Sequence, residues 1–347
     1  ILRDFYDNAY LVEGSMMPLE NQSAVGADLI TVLTSAGPRL TKVWDSATKK
    51  PKAYDKVREV AVQERQVRGI FELSGLLDEL ETKRSTCIIR GKFIGREAAA
   101  RLYAAEIERH NAKLAPGQSP LTVPKDGYTL RRLTFFKEQR LHFFYIDIDS
   151  FKPSGGVDPV ANPEAAIAQY VEQKLPACFQ GITYHWQLSS GAGHPDNPGV
   201  LKAHVAFWLT QAVAGDDLEL WVKAEKYEID VSVFRTVQPN YTAAPLFVNG
   251  VVDPVPRRSG LCEGFLGDEV DLVIDPLLLL RAKTERKARQ DMKDPRDKDN
   301  HVGLFCRTFE IEEVVERWLA EVFEFVTEWR LNWLQGGGSA EGAGGTD

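Results

Sequence analysis

The sequence predicts a mixed α/β fold of the α+β kind, because two periodicities alternate along its 347 residues. Residues 142–149 form an apolar run that ends in acids, and residues 182–188 and 203–209 are two further runs rich in apolar and aromatic side chains. Residues 96–110 and 162–174 carry helical spacing around them. Strands and helices interleaved in this way pack as layers over a shared core. An apolar fraction of 44% supplies the side chains to fill one.

Taken in order, residues 29–33 read as an extended segment, 75–80 as a helix, 87–90 as a strand and 96–110 as a helix. They give an N-terminal α/β subdomain over residues 1–125 to which the sequence attaches no chemistry. Residues 113–127, with several Pro, Gly and Lys, read as the loop that leaves it. Residues 126–280 form the second unit, in which strand 142–149 is followed by helix 162–174, with Pro163 in its first turn. Strand 182–188, a Gly- and Pro-containing loop at 189–199, strand 203–209 and a helix at 218–226 come next. A loop of that length in a compact fold is often functional. Residues 251–264 are turn-rich and 272–280 mostly apolar. Residues 281–334 are a helical C-terminal extension, with a basic run at its start and a long helix at 311–333 that repeats Val315, Leu319, Val322 and Val326 at helical spacing. Residues 335–347 are Gly-rich and read as a flexible linker. With a first residue that is not Met, the chain is expected to be a piece of a longer protein.

Charge and cysteine usage exclude several classes. The formal net charge is −8, so attraction to phosphate has to be local rather than global. Cys87, Cys178, Cys262 and Cys306 are scattered without a Cys-x-x-Cys pair, the usage of a reduced, cytoplasmic protein rather than a disulfide scaffold. A zinc set of Cys178, His185, His194 and Cys262 lacks the paired spacing that such sites show. No apolar run approaches the roughly 20 residues of a membrane span, so no membrane partner is expected.

The chemistry concentrates in a few positions. Asp147 and Asp149 lie two apart in a strand, where side chains alternate, so both carboxylates project from one face. Such a pair repels itself unless a cation neutralises it, and oxygen donors of this kind suit Mg²⁺. Taken alone, the pair is equally well a solvated strand end. Ser189 and Ser190 then open the glycine-containing turn, Lys202 and His204 share one face of the following strand, and Asp230 stands among Tyr227, Ile229 and Val231.

This order of Asp-x-Asp, a Ser/Gly turn with a strand-borne His, and a later lone Asp resembles the three motifs of the archaeo-eukaryotic primase superfamily, in particular the primase-polymerases of phages and plasmids. Gln238, Tyr241, Thr242, Ala243 and Pro245 are similar to a stretch that follows the third acid in phage members. The resemblance covers chiefly residues 133–247. It implies a catalytic sheet related to the RNA-recognition motif, with Asp147, Asp149 and Asp230 as catalytic residues and ligands of Mg²⁺ or Mn²⁺. It also implies that His204, Lys202, Ser189, Ser190 and Arg235 contact the nucleotide. Lys202 departs from the small hydroxyl residue that the family often has there. The implied activity is primer synthesis, with possible strand extension, on a single-stranded DNA template from nucleoside triphosphates, in the cytoplasm of a bacterial host. Residues 301–309 resemble the segment that joins such cores to a helicase, so a helicase domain is expected C-terminal to this chain. Two rival readings use the same residues: an origin-binding initiator that holds DNA without synthesis, and a metal-dependent nuclease.

The remaining candidates carry plainer readings beside sharper ones. His142 and His185 are expected to be structural, and His194 lies in the 189–199 loop. Trp186, Phe207 and Trp208 are either base-stacking residues or core. Arg131, Arg132, Arg257, Arg258 and the basic run from Arg281 are either backbone contacts or solvated charges.

Overall fold

A computed structural model describes residues 27–47, 51–54, 57–115 and 117–291. The helix expected at 311–333, the segment at 301–309 and the linker at 335–347 lie outside the described residues. Residues through Asp275 belong to one compact unit, and the helix that starts at Pro276 belongs to another.

The first unit is a mixed α and β structure built on two four-stranded sheets. The chain opens with β1 (Asp28–Ser35), β2 (Val43–Asp45) and β3 (Glu59–Val67), then α1 (Ile70–Glu81), β4 (Thr86–Ile89) and the short β5 (Lys92–Phe93). Next come α2 (Arg96–Asn111), β6 (Thr129–Leu130) and β7 (Phe136–Lys137). The order β4-β1-β3-β6 makes the first sheet, while β5 and β7 form a small ladder of their own. In β3 the residues Gln63 and Glu64 are exposed and Arg65 pairs with Glu79 at 2.9 Å, so half of that strand is polar and no apolar run announces it.

The second sheet begins with β8 (Arg140–Phe151), α3 (Pro163–Lys174), β9 (Tyr184–Leu188), β10 (Leu201–Ala214) and α4 (Gly215–Glu225). After α4, β11 (Leu246–Val248) pairs with β2 in a two-stranded ladder of their own, and β12 (Ser259–Cys262) completes the second sheet. Its strand order is β12-β9-β10-β8, with every neighbouring pair antiparallel. It follows that β8 and β9, joined through α3, run parallel with β10 between them, and that β10 and β12 run parallel with β9 between them. These are two interlocked split βαβ units.

Alternation sorts the two faces of this sheet. Phe144 and Phe207 meet Phe179 at 5.1 Å on one face, where Trp221 of α4 also packs against Phe144. On the other face His185 reaches Ser74 of α1, and Gln187 donates to Glu81 and to the Thr242 carbonyl. Asp147 and His204, in register with each other, belong to this second face. One apolar cluster takes Ile30, Val32, Leu73 and Leu77 from before residue 125 together with Phe143, Ile146, Trp186 and Phe207 from after it. A smaller cluster around Leu33, Cys87, Ile89 and Phe135 packs the far side of the first sheet.

Buried polar groups join the sheets. Arg90, 2% exposed, donates to the carbonyls of Phe143 at 2.5 Å and Val213 at 2.9 Å, and burial lowers its guanidinium to about 10. Asp28 accepts from the Phe143 backbone N–H at 2.8 Å and lies 2.8 Å from His142 Nδ1. The turn-rich stretch 251–264 contains β12, a four-residue edge strand with Gly260 in it, too short to read from the sequence. The apolar 272–280 segment and the basic run merge in α5 (Pro276–Asp291). No helix among the described residues is long and apolar enough to cross a membrane.

His185 offers a test of this packing. It is 2% exposed, its Nδ1 lies 2.9 Å from the Ser74 hydroxyl, and burial pushes its pKa from 6.5 down to about 4. Because the folded pKa is the lower one, the unfolded chain alone takes up the proton between these values, and stability present above pH 6.5 is lost as pH falls toward 4. The loss amounts to about 3 kcal/mol. Urea titrations at pH 7 and pH 4.5 should show this component in the wild type and its absence in His185→Gln; equal pH dependence in the two proteins contradicts the assignment.

Candidate active site

The register of β8 against β10 sets His204 opposite Asp147. His204 Nε2 lies 3.4 Å from Asp147 Oδ1, close enough for attraction but not aligned as a hydrogen bond. The pairing shifts between Leu201 and Ala203, and there the Lys202 ammonium reaches the Asp149 carbonyl at 2.6 Å and its Oδ1 at 3.3 Å. The Lys202 side chain is 19% exposed and that of Asp149 is 74% exposed, so the cation is the sheltered member of the pair. Asp230 caps a single 3₁₀ turn, Val231–Phe234, by accepting from the Ser232 N–H at 2.8 Å and its hydroxyl at 2.7 Å.

These groups form one electrostatic unit. Burial raises the Asp147 pKa most, the His204 charge opposes it, and the charges of Asp149 and Asp230 push it up further. The structure therefore brings together Asp147, Asp149, Asp230, Lys202 and His204. Asp147 Oδ1, His204 Nδ1 and the Tyr145 hydroxyl are buried with no hydrogen-bond partner, and the Tyr145 ring lies 5.3 Å from that of His204. Buried polar atoms are normally satisfied by protein or by ordered water, so these three are available to a water, an ion or a substrate group.

A divalent cation is the ligand that two or more carboxylates imply, and the residues fit it in part. The unpartnered Asp147 Oδ1 is an available oxygen donor, with two further acids near enough to shift its titration. Asp149 and Asp230, however, are engaged by Lys202 and Ser232, and among the described residues no three acids, histidines or cysteines are arranged to hold an ion.

The 189–199 loop is held from both sides. The Ser189 N–H donates to the Lys202 carbonyl at 2.8 Å, and Arg258 donates to the Ser189 carbonyl at 3.3 Å. Ser190 is 7% exposed; its carbonyl accepts from Trp44 Nε1 at 2.9 Å, and its hydroxyl lies 3.4 Å from that of Tyr54. Gly193 has φ +75°, and a Cβ there would stand 2.8 Å from Pro254, so the turn needs glycine. His194 packs its ring 4.9 Å from Trp44.

No protein-family model, curated protein or solved structure matches this chain.

The other predicted residues are spread elsewhere. Arg235 turns toward Glu219 of α4, with its Nε 4.0 Å from that carboxylate. Trp186, Phe207 and Trp208 are 0%, 0% and 2% exposed, which makes them core rather than stacking surfaces. Arg257 pairs with Glu164 at 3.0 Å and Arg258 with Asp253 at 2.6 Å, so both charges are met locally.

Sequence reasoning missed Trp44 and Tyr54. Burial, and after it the charges of Tyr241, Asp147 and Asp149, push the Tyr54 hydroxyl up to about 12, and its oxygen lies 3.4 Å from the Ser190 hydroxyl. The available signal was two aromatic residues in a stretch otherwise rich in Lys, including Lys42 and Lys52.

Trp44→Phe keeps the ring contacts and removes the donor to Ser190. We expect faster hydrogen exchange across residues 189–199, with a stability loss of about 1–3 kcal/mol from the unpaired buried carbonyl. Unchanged exchange in that loop would show that the indole does not hold it.

Proposed function

We propose that the chain is a metal-dependent nucleotidyltransferase of the primase-polymerase kind, acting on a single-stranded DNA template. The observation that carries the reading is the pairing of Asp147 with His204 across β8 and β10, with Lys202 on Asp149 and Asp230 coupled to the same carboxyl. A four-stranded antiparallel sheet with the acids on β8 and His204 on β10 is compatible with such a catalytic core, although its order β12-β9-β10-β8 sets the last strand beside the second and not, as in an RNA-recognition motif, beside the first.

In this reading Asp147, Asp149 and Asp230 would hold Mg²⁺ or Mn²⁺. When bound, the ion supplies positive charge for the leaving pyrophosphate and lowers the pKa of the attacking hydroxyl. The chain's own residues prepare the rest. Lys202 is a cation already within reach of Asp149, and an incoming triphosphate offers it anionic oxygens to exchange for that carboxylate. His204 holds Nε2 3.4 Å from the Asp147 carboxylate without an aligned hydrogen bond, and a phosphate bound beside that carboxylate would compete for its N–H. The turn at Ser189 and Ser190, fixed by Trp44 and Arg258, forms one wall of the nucleotide position. The buried face behind Asp147 limits water at the reacting atoms. Arg235, 59% exposed and 4.0 Å from Glu219 of α4, is a further phosphate or template contact in this reading. A helicase domain C-terminal to this chain, and a bacterial cytoplasm as the setting, accord with the same reading.

The test is incorporation of labelled nucleotides, with Mg²⁺ or Mn²⁺, on bare and primed single-stranded DNA. Asp147→Ala/Asp149→Ala should abolish template-dependent product and pyrophosphate release, a loss on the order of 10³-fold or more. Shortening of the strand without pyrophosphate would favour hydrolysis, and DNA binding by a folded protein with neither outcome would favour an initiator.

A further inference from the structure

Two cavities outside the carboxylate site share the residues Val57, Arg58 and Arg131. The first, about 400 Å³, is lined mainly by Leu40, Tyr54, Val60, Cys87 and Tyr241 besides the shared residues. That volume lies within the range of about 300–1,000 Å³ typical of small-molecule pockets. Its aromatic wall is the Tyr54 and Tyr241 pair, stacked 3.7 Å apart with planes 6° from parallel. The second, about 430 Å³, is a groove beside α2 and β6 lined by Arg58, Arg109, Arg131 and Arg132 against one acid, Glu106.

Glu106 is already committed. It accepts from Arg109 at 2.9 Å and from the Thr134 hydroxyl at 2.7 Å, and lies 3.6 Å from Arg132. Arg58 and Arg131 have no carboxylate partner among the described lining residues. Each gives one hydrogen bond to a backbone carbonyl, Arg58 to Ser119 at 2.9 Å and Arg131 to Val237 at 3.1 Å. A guanidinium has five N–H groups, so most of their donors remain open to an anion. The Arg131 charge also acts on Cys87 and Tyr241, which puts it at the junction of groove and cavity. In a chain of net charge −8 this is a local concentration of positive charge.

We propose that this groove holds the sugar-phosphate backbone of a single-stranded nucleic acid, with one unpaired base turned into the cavity against the tyrosine pair. Phosphates meet the arginines through charge-assisted, forked hydrogen bonds. A base entering the cavity must be free of its Watson–Crick partner, so a duplex does not fit. The Tyr54 hydroxyl lies 3.4 Å from that of Ser190, so the cavity wall is joined to the 189–199 loop of the carboxylate site. The proposal extends the nucleotidyltransfer reading to the strand which that reading needs. It is tested without metal or nucleotide, so the two fail separately.

The experiment is fluorescence anisotropy of a labelled 12-residue oligothymidylate with the 347-residue chain in EDTA, over a salt series. Arg58 and Arg109 are exposed, so Arg58→Glu and Arg109→Gln should fold, as circular dichroism will check. Each should weaken binding, Arg58→Glu by about tenfold or more, and lower the slope of log K against log salt by about 0.7 for each phosphate no longer neutralised. An abasic oligonucleotide of equal length should bind about fivefold to a hundredfold more weakly to the wild type, and Tyr241→Leu should remove most of that difference. Wild-type affinity and salt slope in both arginine variants, or no binding by the wild type, would overturn the groove. Equal affinity for the abasic strand would overturn the base position.

Discussion

The antiparallel pairing of β8 with β10 governs everything functional in this molecule. Side chains alternate along both strands, so a register in which His204 faces Asp147 also sends Phe144, Ile146 and Phe207 into the core behind them. Both faces are packed, with Phe143, Tyr145 and Trp208 buried on the side of the acids, so a slip of one residue would drive Asp147 and His204 in among Phe179 and Trp221. The packing of the two faces therefore fixes which groups stand beside the acids. The pairing shifts between Leu201 and Ala203, beside the acids, and it is there that Lys202 reaches back to Asp149.

Around that pair the charges are balanced with little margin. Three carboxylates act on one another at the mouth of a mostly buried face, and Lys202 and His204 are the cations and donors that offset them. Asp147 Oδ1, His204 Nδ1 and the Tyr145 hydroxyl, each of them buried, make no hydrogen bond within the chain. The N-terminal third is part of this arrangement, because β2 pairs in parallel with β11 in a ladder of their own and carries Trp44 onto the Ser190 carbonyl. Arg90 and Asp28 fasten the N-terminal sheet to β8 through buried hydrogen bonds.

How much of this was legible in the sequence depended on whether a residue's role is local. The strand at 142–149, the helices at 96–110 and 162–174 and the shared face of Asp147 and Asp149 follow from period alone, and the structure has them as β8, α2 and α3. Period also sets Lys202 and His204 on one face of a strand, but their nearness to the acids was only what the resemblance implied, because it depends on β10 pairing with β8. What could not be read depends on pairing between distant segments. β3 has a polar outer half, β12 is four residues long, and Trp44 joins the site only through a strand about 200 residues away. Arg235, five positions from Asp230 in sequence, lies with its Nε 4.0 Å from the Glu219 carboxylate. Trp186, Phe207 and Trp208 had two readings in the sequence, and burial decides for the core.

The central claim is that Asp147 and its neighbours are a cation site waiting for its ion and substrate phosphates. Calorimetric titration of Mn²⁺ into the wild-type chain and Asp147→Asn, each with and without a nucleoside triphosphate, tests it most directly. The account predicts saturable Mn²⁺ uptake that the triphosphate strengthens and that Asp147→Asn weakens on the order of tenfold or more. Equal uptake by the two proteins, or none by the wild type even with the triphosphate present, would contradict it.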